Sequence, residues 1–151
     1  MDLPTETEFI QHLNTLTYED WKPLLDIIEE LERSRKFGEH INPPPENGVY
    51  QFPYALYSPV VHRFLKIAYR IPIVINFDWG SWKKDFLQLI TNISTHVDSL
   101  DILTKCKLIT VILRQDRFME GTLLHYFENG ALLTILQSLK RDIEARYSAH
   151  S

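Results

Sequence analysis

An all-α bundle of about six or seven short helices is the fold class this chain predicts, with room for one small extended segment near residues 73–77. Three observations carry that expectation. Apolar residues recur at three- and four-residue spacing in several separate stretches. Helix-start residues (Thr5, Ser58, Ser99) stand near the head of such stretches. The stretch from Ile102 to Leu113 is apolar almost all the way round, which marks a central, buried helix.

The elements follow in order. Thr5 and Glu8 have capping-box spacing ahead of Phe9, Ile10 and Leu13, so a short first helix starts there. Trp21-Lys22-Pro23 opens a second, whose Leu24, Ile27, Ile28 and Leu31 form the inner face, with Gly38 as a C-cap residue. A Pro-rich loop at about 39–57 comes next. Pro43-Pro44-Pro45-Glu46-Asn47-Gly48 breaks any regular element, and Tyr50, Phe52, Tyr54 and Tyr57 are expected to pin the loop to the domain. Ser58-Pro59 starts a third helix with Val60, Phe64, Ile67 and Ala68 inward. Pro72–Phe77 reads as extended. Asp78 or Ser81 caps a fourth helix carrying Trp82, Phe86, Leu89, Ile90 and Ile93, and Ser99 a fifth that runs to about Arg117. A sixth covers roughly 119–128 and stops at Asn129-Gly130, and a seventh runs from Ala131 to about Tyr147.

Length and composition bound the function. The 151 residues make one domain, 1–151, with 44% hydrophobic and 24% charged residues, ordinary globular usage. The single cysteine, Cys106, excludes an internal disulfide, and a domain relying on its core alone suits a reducing, cytoplasmic setting. The start Met1-Asp2-Leu3-Pro4-Thr5-Glu6 has neither a basic segment nor a following apolar run, so no secretory signal is expected. No apolar stretch approaches the ~20 residues a membrane span needs. Sixteen basic against 20 acidic residues, a formal charge of −4, make nucleic acid an unlikely partner.

The fifth helix carries the one unusual feature. Lys107, Thr110, Arg114 and Arg117 share a narrow polar stripe at i, i+3, i+7 and i+10 on an otherwise apolar rod. A buried charge is costly unless paired, so the stripe must face carboxylates, a wet pocket or solvent. Asp78, Asp116 and Glu120 are the candidate acids. The favoured reading is structural, with Arg114 or Arg117 paired to Asp78 or Glu120. The competing one is a site for a small anionic ligand, gripped by Lys107, Arg114 and Arg117 with Asp78, Trp79, Thr110 and Glu120 around it. A plain solvated face is the third.

Trp21-Lys22-Pro23-Leu24-Leu25, Phe77-Asp78-Trp79-Gly80-Ser81-Trp82, Cys106-Lys107-Leu108-Ile109-Thr110 and Arg114-Gln115-Asp116-Arg117-Phe118-Met119-Glu120-Gly121 together resemble the pattern of a small bacterial family, the domain of unknown function 6508. The resemblance spans about Thr17 to Leu139. It implies a bacterial or phage-related cytosolic helical domain and names no activity.

Other constellations are weaker. His62, Lys66 and Arg70 form a basic face on the third helix with Arg63 beside them, read first as solvated. The six histidines include no pair at metal-ligand spacing on one helix, and five glycines supply no phosphate loop. Asp116 and Glu120 could both touch a metal, but Arg114 and Arg117 neutralise them more simply, and His125 reads as a satisfied histidine. No metal or cofactor is expected. The expected function is a non-catalytic binding or protein-interaction module, with a protein partner or a homodimer in view. The alternative is an enzyme or ligand-binding protein using the charged stripe.

Overall fold

The computed structural model describes residues 3–148. Seven α-helices surround one core: α1 (Glu6–Thr15), α2 (Tyr18–Arg33), α3 (Pro59–Arg70), α4 (Lys83–Ile90), α5 (Ile102–Gln115), α6 (Thr122–Glu128) and α7 (Ala131–Ser148). A two-stranded antiparallel hairpin, β1 (Gly38–Ile41) with β2 (Tyr54–Tyr57), joins α2 to α3. Two single-turn 3-10 helices, Ile93–Thr95 and Val97–Ser99, precede α5.

Helix α5 is the axis of the bundle, as its composition predicts. Leu108, Ile109, Val111 and Ile112 are wholly buried, and α1, α4, α6 and α7 pack around it. Cys106 is buried as well, and desolvation pushes its thiol far above the ordinary range, so it stays protonated. Helix α2 lays its apolar face on α3 and α7. Its Trp21 indole N–H donates to the Tyr147 hydroxyl at 2.9 Å, and that hydroxyl donates to the Leu16 carbonyl, so the last turn of α7 is tied to the α1–α2 corner.

Several boundaries differ from the sequence reading. The Thr5–Glu8 capping box starts α1 as expected, but α2 begins at a second capping box, Thr17 with Asp20, one turn ahead of Trp21. Pro23 therefore lies inside the helix, where it forfeits one backbone hydrogen bond. Asp101 caps α5, its carboxylate accepting from the Thr104 N–H at 2.7 Å, because Ser99 is taken up in a 3-10 turn. Asp78 and Ser81 form the turn before α4 rather than its cap. Asn92, in the left-handed region at φ 54°, ends α4 before Ile93. Helix α6 starts at Thr122, after a tight turn over 116–121.

The largest correction concerns 38–57. Gly38 does not cap α2. It starts β1, where a Cβ would lie 2.3 Å from the Leu56 carbonyl oxygen, so only glycine allows the strands to pair. Asn47 and Gly48 both have positive φ, 53° and 74°, and Glu46 and Val49 exchange both backbone hydrogen bonds around them. That is a two-residue hairpin turn of the kind Asn-Gly favours. The aromatics divide accordingly. Tyr57 is half-buried, whereas Tyr50 and Phe52 are 69% and 83% exposed, so they are presented to solvent instead of pinning the loop.

The expected extended piece at 73–77 is present as an irregular segment rather than a strand. Ile73, Val74 and Ile75 are buried, and its backbone is held from both sides. The Ile75 N–H donates to Thr110 Oγ1 at 2.9 Å, and the Asn76 N–H to the Pro4 carbonyl at 2.7 Å. No described helix is long and apolar enough to cross a membrane.

Candidate functional site: the open end of the central helix

The polar stripe on α5 divides into a structural half and an open half. Thr110 is fully buried; its hydroxyl donates to the Cys106 carbonyl while accepting from Ile75. Lys107 is committed too. Its ammonium lies 2.9 Å from Glu6 and 4.8 Å from the ring centres of both Phe77 and Trp82. A grip that uses Lys107 with Arg114 and Arg117 is therefore not assembled: Lys107 is occupied by α1 and the start of α4.

One to three turns further on, the surroundings open. Arg117 is exposed, with its guanidinium 5.8 Å from the Tyr69 ring centre. Arg114 is half-buried, and among the described residues it makes no hydrogen bond, ion pair or ring contact. The other such basic side chains, among them Arg33, Lys66 and Arg70, are all exposed. The carboxylates expected to meet Arg114 do other things. Asp78 is exposed and accepts from the Ser81 N–H, while Glu120 is exposed on the turn after α5.

That turn is built by Asp116. A single oxygen, Asp116 Oδ1, accepts from the Tyr57 hydroxyl at 2.8 Å and from the Gly121 and Leu123 N–H groups, each at 3.1 Å. One carboxylate thus closes the 116–121 turn, caps the start of α6 and anchors the hairpin. His40 adds a second tie, to Glu128 at 2.8 Å. Held this way, the turn presents Phe118 and Met119, 78% and 69% exposed, to solvent. Phe118 leans against Trp79, ring centres 6.1 Å apart. Beside them Gln115, Met119, Glu120, Thr122, His125 and Tyr126 line a shallow hollow of about 330 Å³. The hairpin rooted on Asp116 adds Val49, Tyr50, Phe52, Tyr54 and Leu56, all exposed.

Other features are internally satisfied. A larger cleft of about 660 Å³ runs between α1, the start of α5 and the end of α7. Its Asp142 is paired with Lys105, and its Arg146 donates to the Leu13 carbonyl and Asn14. On α3, Arg63 makes a two-pronged pair with Glu30, leaving His62, Lys66 and Arg70 exposed. Among the described residues no three His, Cys, Asp or Glu side chains gather where they could hold a metal ion.

The sequence reading passed over Lys105, which is wholly buried and ion-paired to Asp142. Its signal was present. Position 105 lies on the same face as Leu108, Ile109 and Ile112, three, four and seven residues on, so a lysine there must bring its counter-ion into the core. Phe118 and Met119 were passed over as well, although two large apolar residues between Arg117 and Glu120 have no place on a solvated turn.

Residues 16–145 match a family described as a family of unknown function, DUF6508. The chain belongs to that family. The match covers α2 to α6 in full and α7 as far as residue 145, and with them the whole open end of α5. Searches of curated proteins and of solved structures each return no match.

Proposed function

We propose that this DUF6508 domain is a non-catalytic protein-interaction module of the bacterial cytosol, and that it docks its partner on the open end of α5. One observation carries the reading: among the described residues Arg114 is half-buried without a counter-charge, just ahead in the chain of exposed Phe118 and Met119. Part-burying a guanidinium with no carboxylate costs free energy that the isolated fold does not recover. An incoming carboxylate recovers it, and Arg is the side chain that takes a carboxylate in two-pronged fashion. Arg, Trp, Tyr, Phe and Met are also the residues enriched where proteins meet, and Arg114, Trp79, Tyr69, Phe118 and Met119 supply one of each. The partner is accordingly a protein surface that offers an acidic side chain next to apolar ones. The buried, protonated, unpaired Cys106 supports a reducing compartment, and the sequence motifs support a bacterial one.

A photo-crosslinking residue in place of Phe118 tests this in the cell. Glu144, exposed on α7 at the Lys105 end of α5, is the control position. The expected result is a protein adduct from position 118, none from 144, and loss of the adduct when Arg114→Met is added. Equal adducts at both positions, or none at 118, would overturn the reading.

A further inference from the structure

We infer that the partner seated on the open end of α5 is a second copy of this chain, related by a twofold axis; this rests on the docking reading above. The argument is charge complementarity. Trp79 and Phe118 are in ring contact, and next to them in the chain stand two cations, Arg114 and Arg117, and two acids, Asp78 and Glu120. Among the described residues none of the four is ion-paired within its own chain. A surface for a strongly acidic or basic partner would carry one sign. A surface with equal numbers of both, unpaired at home, complements itself, because a twofold axis lets residue i of one copy meet residue j of the other and the reverse.

The placement of the charges fits this use. Arg114 stands on the last turn of α5, Arg117 and Glu120 on the 116–121 turn that follows, and Asp78 on the turn before α4. Both acids are exposed, and among the described residues neither closes on a guanidinium of its own chain. Phe118 is braced by Trp79, and the turn that carries it is closed by three hydrogen bonds to Asp116. Side chains already ordered in the free chain lose little entropy on association.

A charge-swap pair separates this inference from the general one. In the acidic variant, Arg114 and Arg117 become Glu; in the basic variant, Asp78 and Glu120 become Lys. Each alone repels its own copy. The expected result in sedimentation equilibrium is a wild-type monomer–dimer equilibrium, self-association of each variant weakened at least about tenfold, and a dimer restored on mixing the two. Circular dichroism and urea midpoints check that both variants fold. If either does not, Phe118→Ser with Met119→Ser, both at exposed positions, takes its place and must weaken the dimer similarly. A wild-type chain that stays monomeric up to millimolar concentration overturns the inference, as does a dimer that every variant retains. A monomeric chain whose position 118 still crosslinks to a different protein overturns the second copy and leaves the docking reading standing. No adduct at all overturns both.

Discussion

The Tyr57 hydroxyl donates to Asp116 Oδ1 across 2.8 Å, joining the end of the hairpin to the end of the central helix. Because the same oxygen accepts from Gly121 and Leu123, the position of Phe118 depends on one carboxylate. Asp116→Ala should cost about 3 kcal/mol, since two backbone donors and a phenol lose their acceptor. Tyr57→Phe should cost about 1 kcal/mol. Urea midpoints measure both, and near-equal losses would show that the turn does not depend on the carboxylate.

The same contact predicts an alkaline effect. Burial first, and the neighbouring Asp116 carboxylate second, hold the Tyr57 phenol well above its ordinary value of 10.0. A value raised in the folded state means that folding favours the protonated phenol. Its contribution is whole below about pH 10, the unfolded value, and is lost as pH rises from there towards the folded one. Stability plotted against pH should therefore fall more steeply above about pH 10 in the wild type than in Tyr57→Phe. Tyr126, which shifts the same way by burial, is present in both and cancels. Parallel curves would mean that Tyr57 ionises as freely folded as unfolded.

Lys105 and Asp142 form a pair of which the lysine has no exposure and the carboxylate side chain 32%. Removing the acid strands a buried ammonium, so Asp142→Ala should cost about 3–5 kcal/mol. Removing the charge from the lysine strands only a carboxylate that can reach water, so Lys105→Met should cost much less, and the double change should recover most of the Asp142→Ala loss. Additive losses in a double-mutant cycle would show that the two do not act as a pair.

How far these features could be read from the residues depended on whether their cause was local. The α5 core, the Thr5–Glu8 box and the seven-helix class follow from periodicity and cap spacing, which a linear chain displays directly. The hairpin does not. Its register rests on the fit of Gly38 against Leu56 eighteen residues away, and Asn47-Gly48 was masked by three prolines that read as a plain breaker. The stripe was visible as a stripe, but its division was not. What separates Thr110 and Lys107 from Arg114 is the passage of residues 73–77 and of α1 over one half of α5, a tertiary fact.

Thr110 tests that passage. Thr110→Val keeps the shape but leaves the buried Ile75 N–H without an acceptor, and should cost about 1–3 kcal/mol. Thr110→Ser keeps the acceptor and loses a methyl group, about 1 kcal/mol. Amide hydrogen exchange at Ile75 should speed up in the valine variant and not in the serine one. Equal protection in both would mean that the hydroxyl does not hold the segment.

The central claim is that Arg114 is kept for a partner and not for the fold, and the urea midpoint of Arg114→Met tests it most directly. A side chain poised for a ligand is not optimised for the empty fold, and here it has no counter-charge among the described residues of its own chain. The account predicts a midpoint equal to the wild type or higher, measured at a concentration where the chain is dilute enough to be alone. A loss of more than about 2 kcal/mol, the scale of breaking a part-buried ion pair, would contradict it and make Arg114 a structural residue.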